Sequence, residues 1–208
     1  MNLDDIKLSI GIMAVPQRKD NVDKILQKLN ASAEVFYDYD KIGTYRASKR
    51  VFTTLAQDKS TTHILVLQDD VALCENFIEI VYKVIESNPD AIINLYNPRF
   101  SSCDISDSPY FRFDLFTMFS DQAIIMPREL AINCFVWCDL HPNKRKSCLN
   151  ADDSSIKIFA LANGIPRVGT KVSLVQHLML TNSKGIVPIS HKSRLFLDDY
   201  INKDRIHW

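Results

Sequence analysis

The sequence predicts an α/β domain: a sheet with helices on both of its faces. Three observations carry that expectation. Short apolar runs rich in Ile, Val and Leu alternate with segments whose apolar residues recur at helical spacing. The alternation holds in the order βαβαβαβ through residue 96. The apolar runs are continuous, as in strands covered on both sides, and lack the polar alternation of half-exposed ones.

Taken in order, residues 7–14 (KLSIGIMA) read as a buried first strand. A helix follows from Asp20, with Asp23 in its first turn and Val22, Ile25, Leu26 and Leu29 on one face. Residues 34–38 form a short second strand and residues 44–57 a second helix. HILVLQ, residues 63–68, is a strongly apolar third strand. Residues 74–88 carry Phe77, Ile78, Ile80, Val81 and Val84 and form a third helix that stops near Asn88 and Pro89, before a fourth strand at 91–96. Parallel strands joined by right-handed crossovers bring their carboxyl ends to one edge, where ligands of such sheets bind.

The second half is less regular. Residues 99–110 read as a loop rich in Ser, Asp and Pro, and residues 111–126 hold two β-like runs, FRFDLFTMF and QAIIM. Pro127 opens a helix reaching about Trp137, and residues 139–151 form a polar, basic loop. Asp152 or Asp153 caps a further helix that ends at Asn163-Gly164. Short strands near 166–176 and a polar tail from 182 complete the chain. No repeat, low-complexity tract or linker-like break appears, so a single domain is expected.

The composition narrows the function classes. The 208 residues are 46% hydrophobic and 24% charged, with formal net charge +0. That balance gives no global attraction to nucleic acid or an anionic membrane. No apolar run approaches the roughly 20 residues needed to span a bilayer. The first residues, MNLDDIKLSIGIMAVPQRKD, read as neither signal peptide nor anchor. Five scattered cysteines suit reduced thiols and a cytoplasmic setting.

The chemistry concentrates at Asp69 and Asp70, directly after the third strand. Two adjacent acids at the end of a central apolar strand are costly unless a positive charge compensates them. A hard divalent cation shared with diphosphate oxygens would do so, because Mg²⁺ and Mn²⁺ prefer oxygen ligands. The plainer reading is a solvated turn.

The segment ILVLQDDV resembles the acidic metal-binding motif of GT-A glycosyltransferases, with Gln68 in place of the first acid of a strict Asp-x-Asp. The resemblance spans roughly residues 7–180, as short motifs in the right order. It implies a mixed sheet flanked by helices, and a division into a nucleotide-sugar-binding half (1–98), an acceptor half (99–180) and a tail (181–208). It makes Asp70 the direct Mn²⁺ or Mg²⁺ ligand and Asp69 a sugar or ribose contact. The first-strand exit, Ala14-Val15-Pro16-Gln17-Arg18, would line the nucleotide pocket with Val15, and Arg18 would face the diphosphate or simply precede a helix at the surface. Asp38 and Asp40 follow the second strand where base or ribose binds, or form an acidic turn. Arg46 lies at the Gly43-Thr44-Tyr45 helix start, suited to phosphate or a base, whereas Lys49 and Arg50 read as a solvated face. Asp121 and Gln122 precede the QAIIMP strand and would touch the donor sugar.

Further along, VSLVQH (172–177) resembles the Gln-His segment of some GT-A families, making His177 a second metal or diphosphate ligand; otherwise it is a structural histidine. DDSSIKIFALANGIP resembles the acceptor-side helix of inverting enzymes. Asp153 would then be the general base with Asp152 beside it; the alternative for both is helix capping. The implied reaction transfers a sugar, UDP-linked by expectation, to an acceptor hydroxyl. The anchorless, compact chain suggests a bacterial or phage enzyme acting in the bacterial or infected cytoplasm. Small size, the Gln-His segment and the basic Lys144-Arg145-Lys146 make hydroxymethylated pyrimidine in phage DNA one specific acceptor, with glycans and small metabolites as others.

Other constellations are weaker. Cys134, Cys138, His141 and Cys148 lie close enough in sequence to suggest zinc, but helical spacing also puts the first two on one buried face. A sugar nucleotidyltransferase would carry a Gly-rich loop after the first strand, which MAVPQRKD lacks. A non-catalytic nucleotide-sugar-binding module remains compatible with Gln68. No dinucleotide or P-loop glycine motif occurs.

Overall fold

The computed structural model describes residues 2–98, 108–113, 121–142, 152–178, 180, 192–193, 195–199 and 206–208, and only the backbone of 152 and 153. Its strands are β1 (Leu8–Ala14), β2 (Glu34–Tyr37), β3 (His63–Gln68), β4 (Val71–Leu73), β5 (Ile92–Asn94), β6 (Tyr110–Arg112), β7 (Ala123–Pro127), β8 (Arg167–Thr170) and β9 (Val175–His177). Its helices are α1 (Lys19–Leu29), α2 (Thr44–Leu55), α3 (Phe77–Ser87), α4 (Arg128–Leu140) and α5 (Asp152–Ala162).

Seven strands form one sheet in the order β2-β1-β3-β7-β5-β8-β6. β1 runs parallel to both β2 and β3, and β5 runs parallel to β8. β7 lies between β3 and β5, antiparallel to both, and β6 is antiparallel to β8. The sheet is therefore mixed: β1, β2, β3 and β5 of the first half all run the same way, as their sequence pattern led one to expect, and the reversed strand between β3 and β5 is β7, from the second half. An apolar run such as AIIMP buries equally well in either direction, so its residues do not betray the reversal.

Alternate residues of the central strands feed two cores. Leu65 and Leu67 of β3, Ile93 of β5 and Ile125 of β7 meet α1 and α3 through Val22, Ile25, Val81 and Val84. Ile64, Val66, Ile92, Ile124 and Met126 face the other way, against α2, α4 and α5 through Val51, Phe52, Phe135 and Phe159. Both faces being covered explains why the strands read as unbroken apolar runs. α2 packs so closely on β1 that a Cβ at Gly11 would stand 2.5 Å from Val51 Cγ1 and 2.9 Å from Leu55 Cδ1. α1 ends where Asn30 turns left-handed (φ 48°).

Directly after β3 the chain turns through Asp69 and Asp70 into β4, an element the sequence reading did not separate from its surroundings. β4 pairs antiparallel with β9, Val71 opposite His177 and Leu73 opposite Val175. The expected polar tail also differs. Phe196, Leu197 and Ile206 are buried, and Gln176 holds the segment by donating to the Ser193 carbonyl (3.1 Å) and accepting the Ser193 N–H (2.7 Å). Among the described residues no helix is long and apolar enough to cross a membrane.

Candidate functional site

The exits of β1 and β3 are neighbours because the strands are parallel, and each contributes to one polar cluster. Asp69 uses both carboxylate oxygens internally. Its Oδ2 accepts the Val15 N–H at 2.6 Å and its Oδ1 accepts from Arg18 at 2.6 Å. The same Arg18 nitrogen reaches Asp70 Oδ2 at 2.7 Å. Arg18 also donates to the Leu180 carbonyl at 3.4 Å. Asn21, at the start of α1, donates to the carbonyls of Asp69 (2.6 Å) and Val71 (3.2 Å), which fixes the turn between β3 and β4.

His177 arrives from the far end of the chain through the β4–β9 pair, and its Nε2 stands 3.4 Å from Asp70 Oδ2. Asp70, His177 and Tyr96 are 6%, 5% and 2% exposed. Asp70 Oδ1, His177 Nδ1 and the Tyr96 hydroxyl are buried and have no hydrogen-bond partner among the described residues. Tyr96 follows β5 at the same sheet edge, its ring edge-on to His177 at 6.2 Å.

The two carboxyl groups respond oppositely to this setting. For Asp69, burial outweighs the Val15 N–H and the Arg18 charge and raises its pKa. For Asp70, burial also pushes upward, but the His177 hydrogen bond and the Arg18 charge together prevail and hold it below the usual carboxylate range. Burial, with the Asp70 charge adding to it, pushes the Tyr96 phenol well above its ordinary value. With both acids ionised, one guanidinium leaves an excess of one negative charge unless His177 is protonated. Cation compensation expected from the sequence is thus supplied in part by Arg18.

Asp38, half-buried, accepts the Ile42 N–H with Oδ1 (3.1 Å), and its own N–H donates to Ala14 (2.8 Å), so it lies beside the β1 exit. Asp40 and Arg46 are exposed on the same side, after β2 and in the first turn of α2. The Gln122 carbonyl accepts the Gln68 N–H at 2.9 Å, which puts Gln122 next to the acidic turn. Lys49 pairs with Asp139 rather than standing free in solvent, and Arg50 donates to the Tyr37 carbonyl. The short connection from α5 into β8 leaves the first turn of α5, with Asp152 and Asp153, toward the carboxyl edge; their side chains lie outside the described residues.

The sequence reading missed Asn21 and Tyr96. Tyr96 closes the apolar run AIINLY and there looks like one more core aromatic. The sole signal is a hydroxyl placed where a buried strand reaches the ligand-binding edge. For zinc, Cys134 and Cys138 are buried on the inner face of α4, and His141 stacks on Trp137 at 4.4 Å with its Nδ1 against the Trp137 carbonyl. Cys148 and the basic run 144–146 lie outside the described residues.

Among the described residues no three His, Cys, Asp or Glu side chains gather as a ready-made metal cage. Asp70 and His177 nonetheless turn a carboxylate oxygen (Oδ2) and an imidazole nitrogen (Nε2) toward each other at 3.4 Å. Such a donor pair suits Mn²⁺, or Mg²⁺ less well, with water and phosphate oxygens as the remaining ligands. No protein-family model matches the sequence, and no curated protein matches it at a significant level.

Proposed function

We propose that this chain is a GT-A-like glycosyltransferase that moves a sugar from a nucleotide-sugar, UDP-linked by preference, to an acceptor hydroxyl. The observation that carries the reading is the meeting of Asp70 and His177, buried at the carboxyl edge of a mixed α/β sheet, each with one polar atom unpartnered. Asp70 and His177 would hold a divalent cation, and such a cation, when bound, offsets charge developing on the leaving diphosphate. Val15 at the β1 exit, Asp38 and the first turn of α2 with Arg46 border the same edge and would line a pocket for base, ribose or phosphate. Asp153 takes the acceptor proton if the reaction inverts. A hydroxymethylated pyrimidine in duplex DNA is the specific acceptor proposed; equal lack of binding to modified and plain duplex would remove it, leaving glycans and small metabolites.

The deciding experiment is calorimetric titration of Mn²⁺ with and without UDP, paired with a UDP-sugar hydrolysis assay. Wild type should bind Mn²⁺ and hydrolyse donor, and Asp70→Asn should do neither. Absence of Mn²⁺ uptake by wild type in the presence of UDP would falsify the reading.

One observation favours a second reading, a non-catalytic nucleotide-sugar-binding module. Arg18 already bridges both carboxylates, as a cation would. That module would bind UDP without metal and release no sugar from the donor.

A further inference from the structure

We infer that Tyr96 is a positioning residue of the Asp70–His177 site, its phenolic oxygen accepting a hydrogen bond from the water shell of a divalent cation held there. This rests on the cation reading above and assigns a role to a residue that neither the acidic motif nor the Gln-His segment includes.

The argument begins with an anomaly of burial. Tyr96 is 2% exposed, yet its hydroxyl has no partner among the described residues. Buried hydroxyls are nearly always paired, and one that is not destabilises the fold. Phenylalanine would fill the same space without that cost. The hydroxyl is also not an isolated defect. Its ring contacts His177 edge-on, and His177 stands against Asp70. Three adjacent residues therefore each keep one polar atom unpartnered at the same sheet edge. The Tyr96 ring stands beside the facing pair of Asp70 Oδ2 and His177 Nε2, between which a cation would sit, so waters of that cation would be the partner its hydroxyl lacks. Mg²⁺ and Mn²⁺ keep several waters when protein supplies only two ligands. Those waters are strong donors and, once enclosed, need acceptors. A phenol oxygen is a suitable one, and outer-shell partners of this kind change metal affinity by about 10–100-fold.

The test is Tyr96→Phe, measured without metal and with it. Without metal the variant should melt at the wild-type temperature or above it, because an unpaired buried hydroxyl has been removed. With Mn²⁺ alone, calorimetry should show binding about tenfold weaker, and the Mn²⁺ paramagnetic resonance spectrum should differ from that of wild type. Opposite effects on the metal-free protein and on metal uptake distinguish positioning from packing. If Tyr96→Phe takes up Mn²⁺ as wild type does, with the same spectrum, the role of Tyr96 is overturned while the cation reading stands. A metal-free variant that melts several degrees lower, with Mn²⁺ affinity falling in step, makes Tyr96 a packing residue and overturns the inference too. If wild type itself takes up no Mn²⁺, the underlying reading fails first.

Discussion

His177 Nε2 lies 3.4 Å from Asp70 Oδ2, and the ladder that sets Val71 opposite His177 maintains that separation. Leu178 reinforces it by donating its N–H to the Asp70 carbonyl at 2.7 Å. An acid from the middle of the chain and an imidazole from near its end are thus joined by backbone hydrogen bonds, independently of any ligand. His177→Asn should leave the pairing of β4 with β9 intact and weaken Mn²⁺ binding by at least about tenfold, read by calorimetry. Unchanged affinity would remove His177 from the ligand set.

Arg18 and a divalent cation act on the same charges. Arg18→Gln leaves two buried carboxylates without their guanidinium, and breaking a buried pair of this kind costs about 3–5 kcal/mol. Mn²⁺ should restore part of that loss, so its addition should raise the melting temperature of Arg18→Gln more than that of wild type. Equal shifts would mean that the cation does not take over the charge role of Arg18.

Asn21→Ala removes both hydrogen bonds that hold the turn between β3 and β4. The expected loss is about 1–2 kcal/mol of stability in urea titrations. Mn²⁺ affinity should fall as well, because Asp70 sits inside that turn. A variant that loses stability but keeps full affinity would show that the turn holds its shape without Asn21.

His63 reports on pH. It is 1% exposed, its Nε2 meets the Pro89 carbonyl at 2.8 Å and its Nδ1 the Thr62 hydroxyl at 3.0 Å. A carbonyl only accepts, so Nε2 carries the proton and the neutral ring is satisfied. Burial lowers its pKa from the usual 6.5 against the weaker pull of Pro89 and Asp90. The unfolded chain therefore binds the proton more readily. The His63 contribution is fully present above about pH 6.5 and is lost as pH falls from there through the folded value. Melting temperature should decline over that interval in wild type and decline less in His63→Gln.

Gly11→Ala tests how closely α2 approaches the sheet. The new methyl would meet Val51 and Leu55 at distances no carbon pair tolerates, for a loss of about 1–3 kcal/mol. Val51→Ala on the same background should recover part of it. If the double variant is simply the sum of two losses, the crowding lies elsewhere.

Much of the architecture was legible because both faces of the sheet are covered. HILVLQ and AIINLY look like strands from composition alone, and Val22, Ile25 and Leu29 recur at helical spacing. The direction and neighbours of β7 were not legible, since nothing in AIIMP encodes orientation. β4 is three residues long and merges with the apolar surroundings of the acidic turn. In the site, Asp69 and Asp70 stand out as charges at the end of an apolar run, and His177 through its Gln-His neighbourhood. The bond of Arg18 to both acids, the clamp from Asn21 and the orphaned hydroxyl of Tyr96 depend on which strand ends adjoin. One-dimensional patterns do not carry that. The tail shows the same limit: Phe196, Leu197 and Ile206 are too few among polar residues to mark a packed segment.

The reversed β7 has a consequence for synthesis. β3 and β5 are separated by it, and both partners of β5, namely β7 and β8, are translated after it. A nascent chain that has emerged only through residue 98 carries the apolar edge of β3 with no strand to cover it. β5 meanwhile has nothing to pair with. Such open edges recruit other chains. Folding of the first hundred residues therefore waits on residues 123–127, and slow translation between those points would be expected to favour aggregation.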